Sequence, residues 1–204
     1  MANRRRDETQ DDMGQAIFDA AVAVFARDGF EASRIDAIAK RAGVAKGSVY
    51  NHYADKEELF FSVVASEIDE MNRLLDDLNR AAGDEPFAGF TRRMVGAQYR
   101  RMIDRRGAGL VIFSDSWGRL REDLRRRIVE RLRGHLLFVT DILAVRAGLA
   151  GIALPDPEKV ATALLGLAFI FAQRRTLIDA FEFAPAADPI VTHRGLGYAL
   201  REET

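Results

Sequence analysis

Residues 33–56 read SRIDAIAKRAGVAKGSVYNHYADK, and this stretch decides the fold class. Its first part carries apolar residues with the spacing of one helix face, at Ile35, Ile38, Ala39 and Ala42. Ser33 is expected to cap this helix and Gly43 to end it, because glycine readily adopts the left-handed conformation of a sharp turn. A second short helix is predicted from about Ala45 to Tyr53. Two short helices joined by a glycine turn predict a helix-turn-helix unit.

The second helix is predicted to bury Val49 and to leave one polar, donor-rich face. That face holds Lys46, Gly47, Ser48, Tyr50, Asn51 and His52. A short exposed helix with such a face fits the major groove of DNA. The next helix is predicted to begin at Asp55 as its cap, with Glu58 as the reciprocal partner of a capping box. Lys56 in its first turn opposes the helix dipole, so a phosphate group is its expected partner.

The same region resembles the N-terminal domain of the TetR family of transcriptional repressors. The resemblance rests on GF-x-x-S at Gly29–Ser33, I-x-x-IA at Ile35–Ala39 and AGVAKGSVYNHYADKEELF at Ala42–Phe60. It implies an all-α, two-domain homodimer whose variable C-terminal domain binds a small molecule and thereby loosens its grip on operator DNA. The chain departs from the family at Ala45, where Ser or Thr is usual, and at Asn51, which either pairs with adenine or is simply solvated.

The resemblance also assigns DNA contacts to individual residues. Base edges and nearby phosphates are expected for Lys46, Gly47 and Ser48, the DNA backbone for Tyr50 and His52, and a phosphate for Lys56. The full set expected to bind DNA is Ser33, Arg34, Ala45, Lys46, Gly47, Ser48, Tyr50, Asn51, His52 and Lys56. Each of these residues also has an ordinary structural interpretation, as core packing or a solvated helix surface. The expected partner is double-stranded operator DNA, palindromic because a two-fold symmetric dimer reads two half-sites.

Composition excludes several other classes of protein. The chain has 204 residues, of which 48% are hydrophobic and 30% charged, and it has no cysteine, so a globular protein without disulfides or cysteine-ligated zinc is expected. Residues 1–60 hold nine Lys and Arg against eleven Asp and Glu, so DNA binding has to rest on how the charges are distributed. The longest apolar stretch, 160–172, is shorter than the about 18 residues of a membrane span. The expected location is the cytoplasm.

The whole chain predicts helices without strands. We expect an all-α fold of about nine helices, with a helix-turn-helix DNA-binding domain over residues 1–54 and an effector-binding and dimerisation domain over residues 55–204. Helix breaks are expected at Gly29, at Gly83–Pro86 and at Gly107–Gly109, and a short helix over 111–117. The helix predicted from about Arg119 to Ala147 has an arginine-rich outer face, which we expect to pair with acids and not to bind nucleic acid.

Two further helices are predicted at the C-terminal end. Asp156 and Pro157 provide a cap and a first-turn proline for a helix that reaches about Phe181 and is apolar nearly all round. Asp188 and Pro189 predict a last helix that runs to Leu200. The resemblance implies that these last two helices form the homodimer interface.

A ligand site is expected among the C-terminal helices. Their many Phe and Met side chains and few polar groups predict an apolar or aromatic effector. The candidate residues are Phe90, Met94, Tyr99, Met102, Phe113, Trp117, Phe138, Asp141, Phe169 and Gln173, with His135 as a further polar anchor. The apolar members of this set are equally explained as ordinary core.

The leading hypothesis is a dimeric repressor released from DNA by a small ligand. The alternative is a constitutive DNA-binding repressor with no effector, and a remote alternative is a small helical enzyme. The three histidines at 52, 135 and 193 lack metal-ligand spacing, and the sequence has no phosphate-binding loop or nucleophile motif. No catalytic residue, metal or cofactor is therefore expected.

Overall fold

The computed structural model describes the backbone of residues 2–104, 117–180, 190–192 and 198–200, and the side chains of residues 12–103 and 118–172. Within these residues there are seven α-helices. They are α1 (Ala2–Ala32), α2 (Ile35–Ala42), α3 (Lys46–His52), α4 (Lys56–Ala81), α5 (Phe87–Asp104), α6 (Glu122–Leu149) and α7 (Pro157–Ala180). The predicted all-α class is confirmed. Over the described ranges, no helix combines the length and apolar character that crossing a membrane requires.

The predicted helix break at Gly29 is confirmed, and it folds the end of α1 back onto the protein. Gly29 has φ 72° and ψ 173°, a backbone conformation that glycine adopts more easily than other residues. The Phe30 ring then lies 4.8 Å from the Phe60 ring and 6.1 Å from the Phe25 ring. Phe60 meets Phe25 edge-on at 5.3 Å. Three aromatic rings thus fix α1 against the start of α4.

One apolar cluster holds the N-terminal helices together. Its most deeply buried members include Ile17, Val24, Phe25, Ile38, Val49, Leu59, Phe60, Leu124 and Ile128. Leu124 and Ile128 belong to α6, which follows more than sixty residues after α3 in the chain. The core beneath the helix-turn-helix unit is therefore completed by the first turns of α6.

A second apolar cluster joins α4, α5, α6 and α7. Its members include Met71, Leu75, Phe90, Met94, Val139, Leu143 and Ala161. Helix α4 contributes to both clusters, because its 26 residues span about 39 Å at 1.5 Å per residue. This helix consequently connects the N-terminal unit with the C-terminal helices.

The later helices begin close to their predicted caps. The Asp156 carboxylate accepts a hydrogen bond from the Lys159 N–H at 3.0 Å, and α7 begins at Pro157 as predicted. Helix α6 begins at Glu122, three residues after the predicted Arg119, because Trp117–Arg119 form a 3-10 turn. The short helix predicted over 111–117 falls outside the described backbone except for Trp117.

The predicted last helix is wrong where the structure describes this segment. Ile190–Thr192 and Tyr198–Leu200 form two antiparallel strands in which Val191 is paired with Ala199. Three consecutive residues of this segment, Ile190, Val191 and Thr192, are β-branched, and β-branched residues favour strands. The two glycines between the strands in sequence further lower helix propensity. Asp188 and Pro189 are good helix starters, but they did not decide the outcome.

The arginine-rich face of α6 is paired with acids, as predicted. Arg126 contacts Glu122 one turn earlier at 3.1 Å, and Arg131 contacts Asp69 of α4 at 3.0 Å. Large apolar side chains are also exposed on α6, on α7 and between them. They are Val129, Leu137, Val145, Leu149, Ile152, Leu167 and Ile170.

Candidate nucleic-acid interface

The turn between α2 and α3 has the geometry that the glycine predicts. Gly43 adopts the left-handed conformation, with φ 71° and ψ 26°. The Val44 N–H donates to the Ala39 carbonyl at 3.0 Å, which closes the end of α2. Helix α3 then covers Lys46–His52, close to the predicted range, and only Val49 is fully buried, at 1% exposure. One apolar anchor therefore fixes α3 and leaves the rest of its surface outside.

The outward face of α3 gathers most of the residues expected to bind DNA. Ala45, Lys46, Gly47, Tyr50 and Asn51 are exposed, and Tyr50 is 47% exposed despite its large aromatic ring. Ser48 and His52 are half-buried at the edge of this face. Hydroxyl, amide and ammonium groups thus surround an exposed ring on one short helix. Such a face can donate hydrogen bonds to bases and phosphates together.

Lys46 has an acidic partner that the sequence did not indicate. Its Nζ lies 3.0 Å from the Asp36 carboxylate of α2, and both side chains are about half exposed. The hydrogen bond to Asp36, followed by its charge, raises the pKa of Lys46. A phosphate that binds Lys46 would have to compete with Asp36. No local pattern joins residues ten apart on different helices, so this pair depends on the turn.

The structure corrects the predicted capping role of Ser33. Residue Arg34, without a side-chain hydrogen bond, precedes α2 at the cap position, so Ser33 does not cap this helix. Ser33 is 3% exposed, and its hydroxyl donates to the carbonyls of Gly29 and, at 3.4 Å, Val24. This hydroxyl is bonded inside the protein, and a contact between Ser33 and DNA stays a prediction. Arg34 itself is exposed, as are Lys40 and Arg41 at the end of α2.

Lys56 also has a different partner from the predicted phosphate. Its Nζ donates to the carbonyls of Phe30 at 2.9 Å, Ser33 at 3.2 Å and Glu31 at 3.4 Å. The ammonium also lies 4.3 Å from the centre of the Phe30 ring. An ammonium has three donors, and here all three face the carbonyl groups where the chain leaves α1. This geometry gives Lys56 a structural role, while its contact with a DNA phosphate stays a prediction.

Replacing Lys56 with methionine is expected to lower the free energy of unfolding by about 1–2 kcal/mol, because the α1 carbonyls lose a charged donor. Urea unfolding of the full chain measures this change. Lys40→Met removes an exposed charge nearby and should leave stability within about 0.5 kcal/mol. The salt dependence of DNA binding should be the same in Lys56→Met and wild type. If Lys56→Met instead lowered the salt dependence of DNA binding by about one unit and left stability unchanged, Lys56 would contact a phosphate.

His52 packs against α1 at the edge of the candidate interface. A Cβ built on Gly14 would lie 3.3 Å from His52 Nδ1, closer than most real contacts of this kind. The His52 ring is 6.5 Å from the Tyr53 ring, measured between centres. The imidazole therefore rests on the small surface that Gly14 provides. This contact orients the end of α3 relative to α1.

The start of α4 is tied to α6 by ion pairs. Asp55 caps α4 as predicted, since its carboxylate accepts from the Glu58 N–H at 2.8 Å. Glu58, however, does not complete the capping box: its two oxygens bind the Arg127 guanidinium at 2.5 and 3.1 Å. Arg127 also stacks 3.9 Å from the Phe61 ring centre, and Arg121 binds Glu57 at 2.7 Å. The first turn of α4 is thus fixed to the C-terminal helices beside α3.

The residues predicted to bind a ligand do not all lie in the interior. Phe90 and Met94 are buried in the second apolar cluster, and Phe138 packs at its edge. Tyr99, Met102 and Phe169 are half-buried. Asp141 is exposed on α6, so the expectation that it lines an interior site is wrong for this chain alone. Phe113 and the side chains of Trp117 and Gln173 are outside the described residues.

Two polar residues in the C-terminal helices have distinct surroundings. His135, named as a possible anchor, contacts Asn72 of α4 through Nδ1 at 2.6 Å, and burial lowers the pKa of His135 to about 4. Gln98, which sequence reasoning missed, is 1% exposed, and neither amide atom has a hydrogen-bond partner among the described residues. Its position four residues after buried Met94 was the available signal. Within the described ranges, no three His, Asp or Glu side chains form a possible metal site.

A helix-turn-helix unit that presents one polar helix, joined to a larger helical body, is an architecture typical of DNA-binding transcriptional regulators. Residues 17–63 match the family model "Bacterial regulatory proteins, tetR family". A fatty acid metabolism regulator protein of Bacillus subtilis is 29% identical over 132 residues, which cover 62% of this chain and 64% of that protein. Residues 17–63 thus match the DNA-binding domain of the TetR family, as the resemblance implied.

Solved structures extend the likeness to the C-terminal helices. FadR from Bacillus subtilis in complex with stearoyl-CoA aligns with a TM-score of 0.69 and 20% identity, over 81% of this chain and 88% of that one. AibR in complex with isovaleryl coenzyme A and operator DNA aligns with a TM-score of 0.59 and 18% identity, over 79% and 86% of the two chains. At these identities the likeness shows the fold. The chain spans less than two thirds of the length of the curated relatives that it matches, 64% and 35% for two of them.

Proposed function

We propose that this chain is a homodimeric repressor that binds palindromic operator DNA through α3 and releases it when an acyl-coenzyme A binds the C-terminal helices. Residues 1–54 form the DNA-binding domain in this proposal, and residues 55–204 form the effector-binding and dimerisation domain. The observation that carries it is the outward face of α3. The turn at Gly43 positions this helix, and the buried side chain of Val49 holds it against the core. The protein acts in the cytoplasm, where such DNA is accessible.

Gly47 supports the assignment of α3 to DNA. A Cβ built at this position meets no atom of the described chain within 4 Å, so the fold itself does not require glycine there. Glycine inside a helix costs about 0.5–1 kcal/mol relative to alanine. A residue that lowers stability without a packing reason is explained when a partner approaches the bare backbone closely. In our proposal that partner is the DNA backbone, with Lys46, Ser48, Tyr50, Asn51 and His52 around it.

Apolar side chains exposed on α6 and α7 support a homodimer. Leu149 is 77% exposed, Ile170 64% and Val145 60%, and all three belong to or end these two helices. Several large apolar side chains exposed along neighbouring helices are typical of a surface that another protein covers. A second copy of this chain, related by a two-fold axis, would bury them on both sides. We therefore propose a dimer contact through α6 and α7, whereas the sequence analysis expected α7 and the predicted last helix.

The effector class rests on two structural neighbours. One is in complex with stearoyl-CoA and the other with isovaleryl coenzyme A, so the shared ligand class is an acyl thioester. The second apolar cluster of this chain offers Phe and Met side chains that suit an acyl group. A constitutive repressor would bind DNA equally well with and without such a ligand.

Footprinting of the DNA beside the chain's own gene tests the DNA-binding proposal. A symmetric protected region is expected with wild type. Tyr50→Ala should weaken affinity about tenfold or more, because one well-placed contact is worth about 1–3 kcal/mol. Gly47→Ala should weaken DNA binding while raising the free energy of unfolding by about 0.5–1 kcal/mol. Both variants alter exposed positions, so the fold should be retained.

The matched control is Arg73→Ala, which removes an exposed, ion-paired cation from α4. This variant should bind DNA as wild type does. Lys46→Ala is a less decisive variant, because it also frees the Asp36 carboxylate next to the proposed interface. Wild-type affinity in both Tyr50→Ala and Gly47→Ala would show that α3 is not the DNA-reading helix.

A further inference from the structure

A layer of polar side chains separates the apolar cluster of the N-terminal helices from the apolar cluster of the C-terminal helices. It consists of Glu67, Asn72, Gln98, Arg101 and His135, and is called the polar layer below. On α4 the first cluster ends at Ile68 and the second begins at Met71, so Glu67 and Asn72 flank the boundary. Contacts fix the other members at this level: Arg101 to Glu67 at 3.2 Å, and His135 to Asn72 at 2.6 Å.

Gln98 is the member of the polar layer whose side chain has no partner. It is 1% exposed, and its Nε2 and Oε1 have no hydrogen bond among the described residues. An amide buried without partners is unfavourable by a few kcal/mol, and native proteins rarely retain one without a reason. A hydrophobic residue of similar size would avoid this penalty. The amide therefore points to a ligand group that it can bind.

The surroundings of Gln98 define the chemistry of that group. Along one face of α5, Phe90 and Met94 precede it at four-residue spacing, and Arg101 follows three residues later. Phe90 and Met94 are buried in an apolar cluster, and methionine adapts easily to an apolar ligand. Arg101 is paired with Glu67 and, at 3.7 Å, with Glu70, so its charge is already neutralised. The site thus suits an uncharged carbonyl attached to an apolar chain.

We propose that Gln98 recognises the thioester carbonyl of an acyl-CoA effector, with its Nε2 as donor and with the acyl chain directed toward Met94 and Phe90. This inference rests on the proposed function and names the polar contact of that ligand. A free fatty acid shares the apolar chain and carbonyl group, but its carboxylate would be buried near Arg101, which is already paired with the carboxylates of Glu67 and Glu70. The polar layer accordingly selects the thioester over the acid.

Binding of three probes to the full-length protein tests the proposal, by calorimetry in the absence of DNA. The probes are stearoyl-CoA, its S-octadecyl thioether analogue, which lacks the carbonyl oxygen, and stearate. Wild type should bind stearoyl-CoA about five- to tenfold more tightly than the thioether, the value of one hydrogen bond. Gln98→Met should bind both CoA compounds equally. Gln15→Met, the same substitution at an exposed position of α1, should keep the wild-type preference.

The ligand-free variants give a second measurement. Gln98→Met should melt about 2–6 °C above wild type, because it removes an unpaired buried amide. A lower melting temperature would show that the amide is satisfied inside the protein and would overturn the proposal. An unchanged thioester preference in Gln98→Met, or tighter binding of stearate than of stearoyl-CoA, would overturn it as well.

Failure of this proposal is distinguishable from failure of the proposed function. If wild type protects operator DNA and binds stearoyl-CoA, but Gln98→Met keeps the preference, only the role of Gln98 is wrong. If wild type protects DNA but binds neither CoA compound, the effector class is wrong and the role of Gln98 falls with it. If wild type protects no DNA, the repressor function fails, whatever the three probes show.

Discussion

Replacing Phe60 with alanine is expected to lower the free energy of unfolding by about 3–5 kcal/mol, the range typical of a buried phenylalanine. Phe60 is 2% exposed, and its ring contacts both Phe25 and Phe30 of α1. Its loss would leave a cavity at the point where α1 meets α4. Helix α3 depends on the same cluster through Val49. We therefore expect Phe60→Ala to lose DNA binding at temperatures where wild type still binds.

Urea unfolding followed by circular dichroism measures this effect. Phe60→Leu should fold, with a free energy of unfolding about 1–2 kcal/mol below that of wild type. This variant keeps the prediction measurable if Phe60→Ala does not fold. Phe18→Ala serves as the matched control, because Phe18 also belongs to α1 but is only partly buried against the same cluster. Its effect should be clearly smaller. If Phe18→Ala and Phe60→Ala lowered the free energy of unfolding equally, the contact among the three rings would not stabilise the protein more than partly buried packing does.

Acidification is expected to destabilise the protein through His135. Burial lowers the pKa of His135 to about 4 in the folded protein, whereas an unfolded histidine has a pKa near 6.5. Between these two values the unfolded chain binds a proton that the folded chain does not, so stability falls as the pH falls. From pH 7 to pH 5 the loss from this group is about 2 kcal/mol. Above pH 7 His135 should have no effect on the pH dependence.

Urea unfolding between pH 7 and pH 5 checks this prediction. His135→Gln removes the titrating ring and retains a donor, so its stability should fall less than that of wild type over this range. An identical pH dependence in His135→Gln and wild type would contradict the prediction.

Helix boundaries were predictable because their signals are local. Gly29 and Gly43 provided positive φ angles at the expected breaks, and Asp55 and Asp156 bind the N–H groups three residues later. Each of these signals needs only a few neighbouring residues. In the segment after Asp188 the local signals disagree, because Asp188 and Pro189 favour a helix start whereas the β-branched residues that follow favour a strand. Strand pairing decided the outcome there, and a single local pattern does not reveal it.

Side-chain partners were less predictable because they join distant parts of the sequence. Lys56 faces the Phe30 carbonyl, and Glu58 binds Arg127, so each pair depends on how the helices pack. The charge on Lys56 therefore suggested a phosphate, although three carbonyl groups already satisfy it. Gln98 carried a clearer signal, since a polar residue stands at the buried register of Phe90 and Met94. A buried register alone, however, does not tell whether protein or ligand is the partner.

The shared core beneath α3 limits how this regulator can be divided or recombined. Leu120, Leu124 and Ile128 are buried against residues of α1 and α4, and Arg127 is bound to the first turn of α4. A fragment that ends at residue 54 would lack these apolar neighbours and would expose the underside of its own helices. A chimera that takes the DNA-binding helices of another protein would need, besides the new α3, first turns of α6 that pack against those helices. Modularity in this chain is therefore incomplete, because its N-terminal and C-terminal parts have to evolve together where they touch.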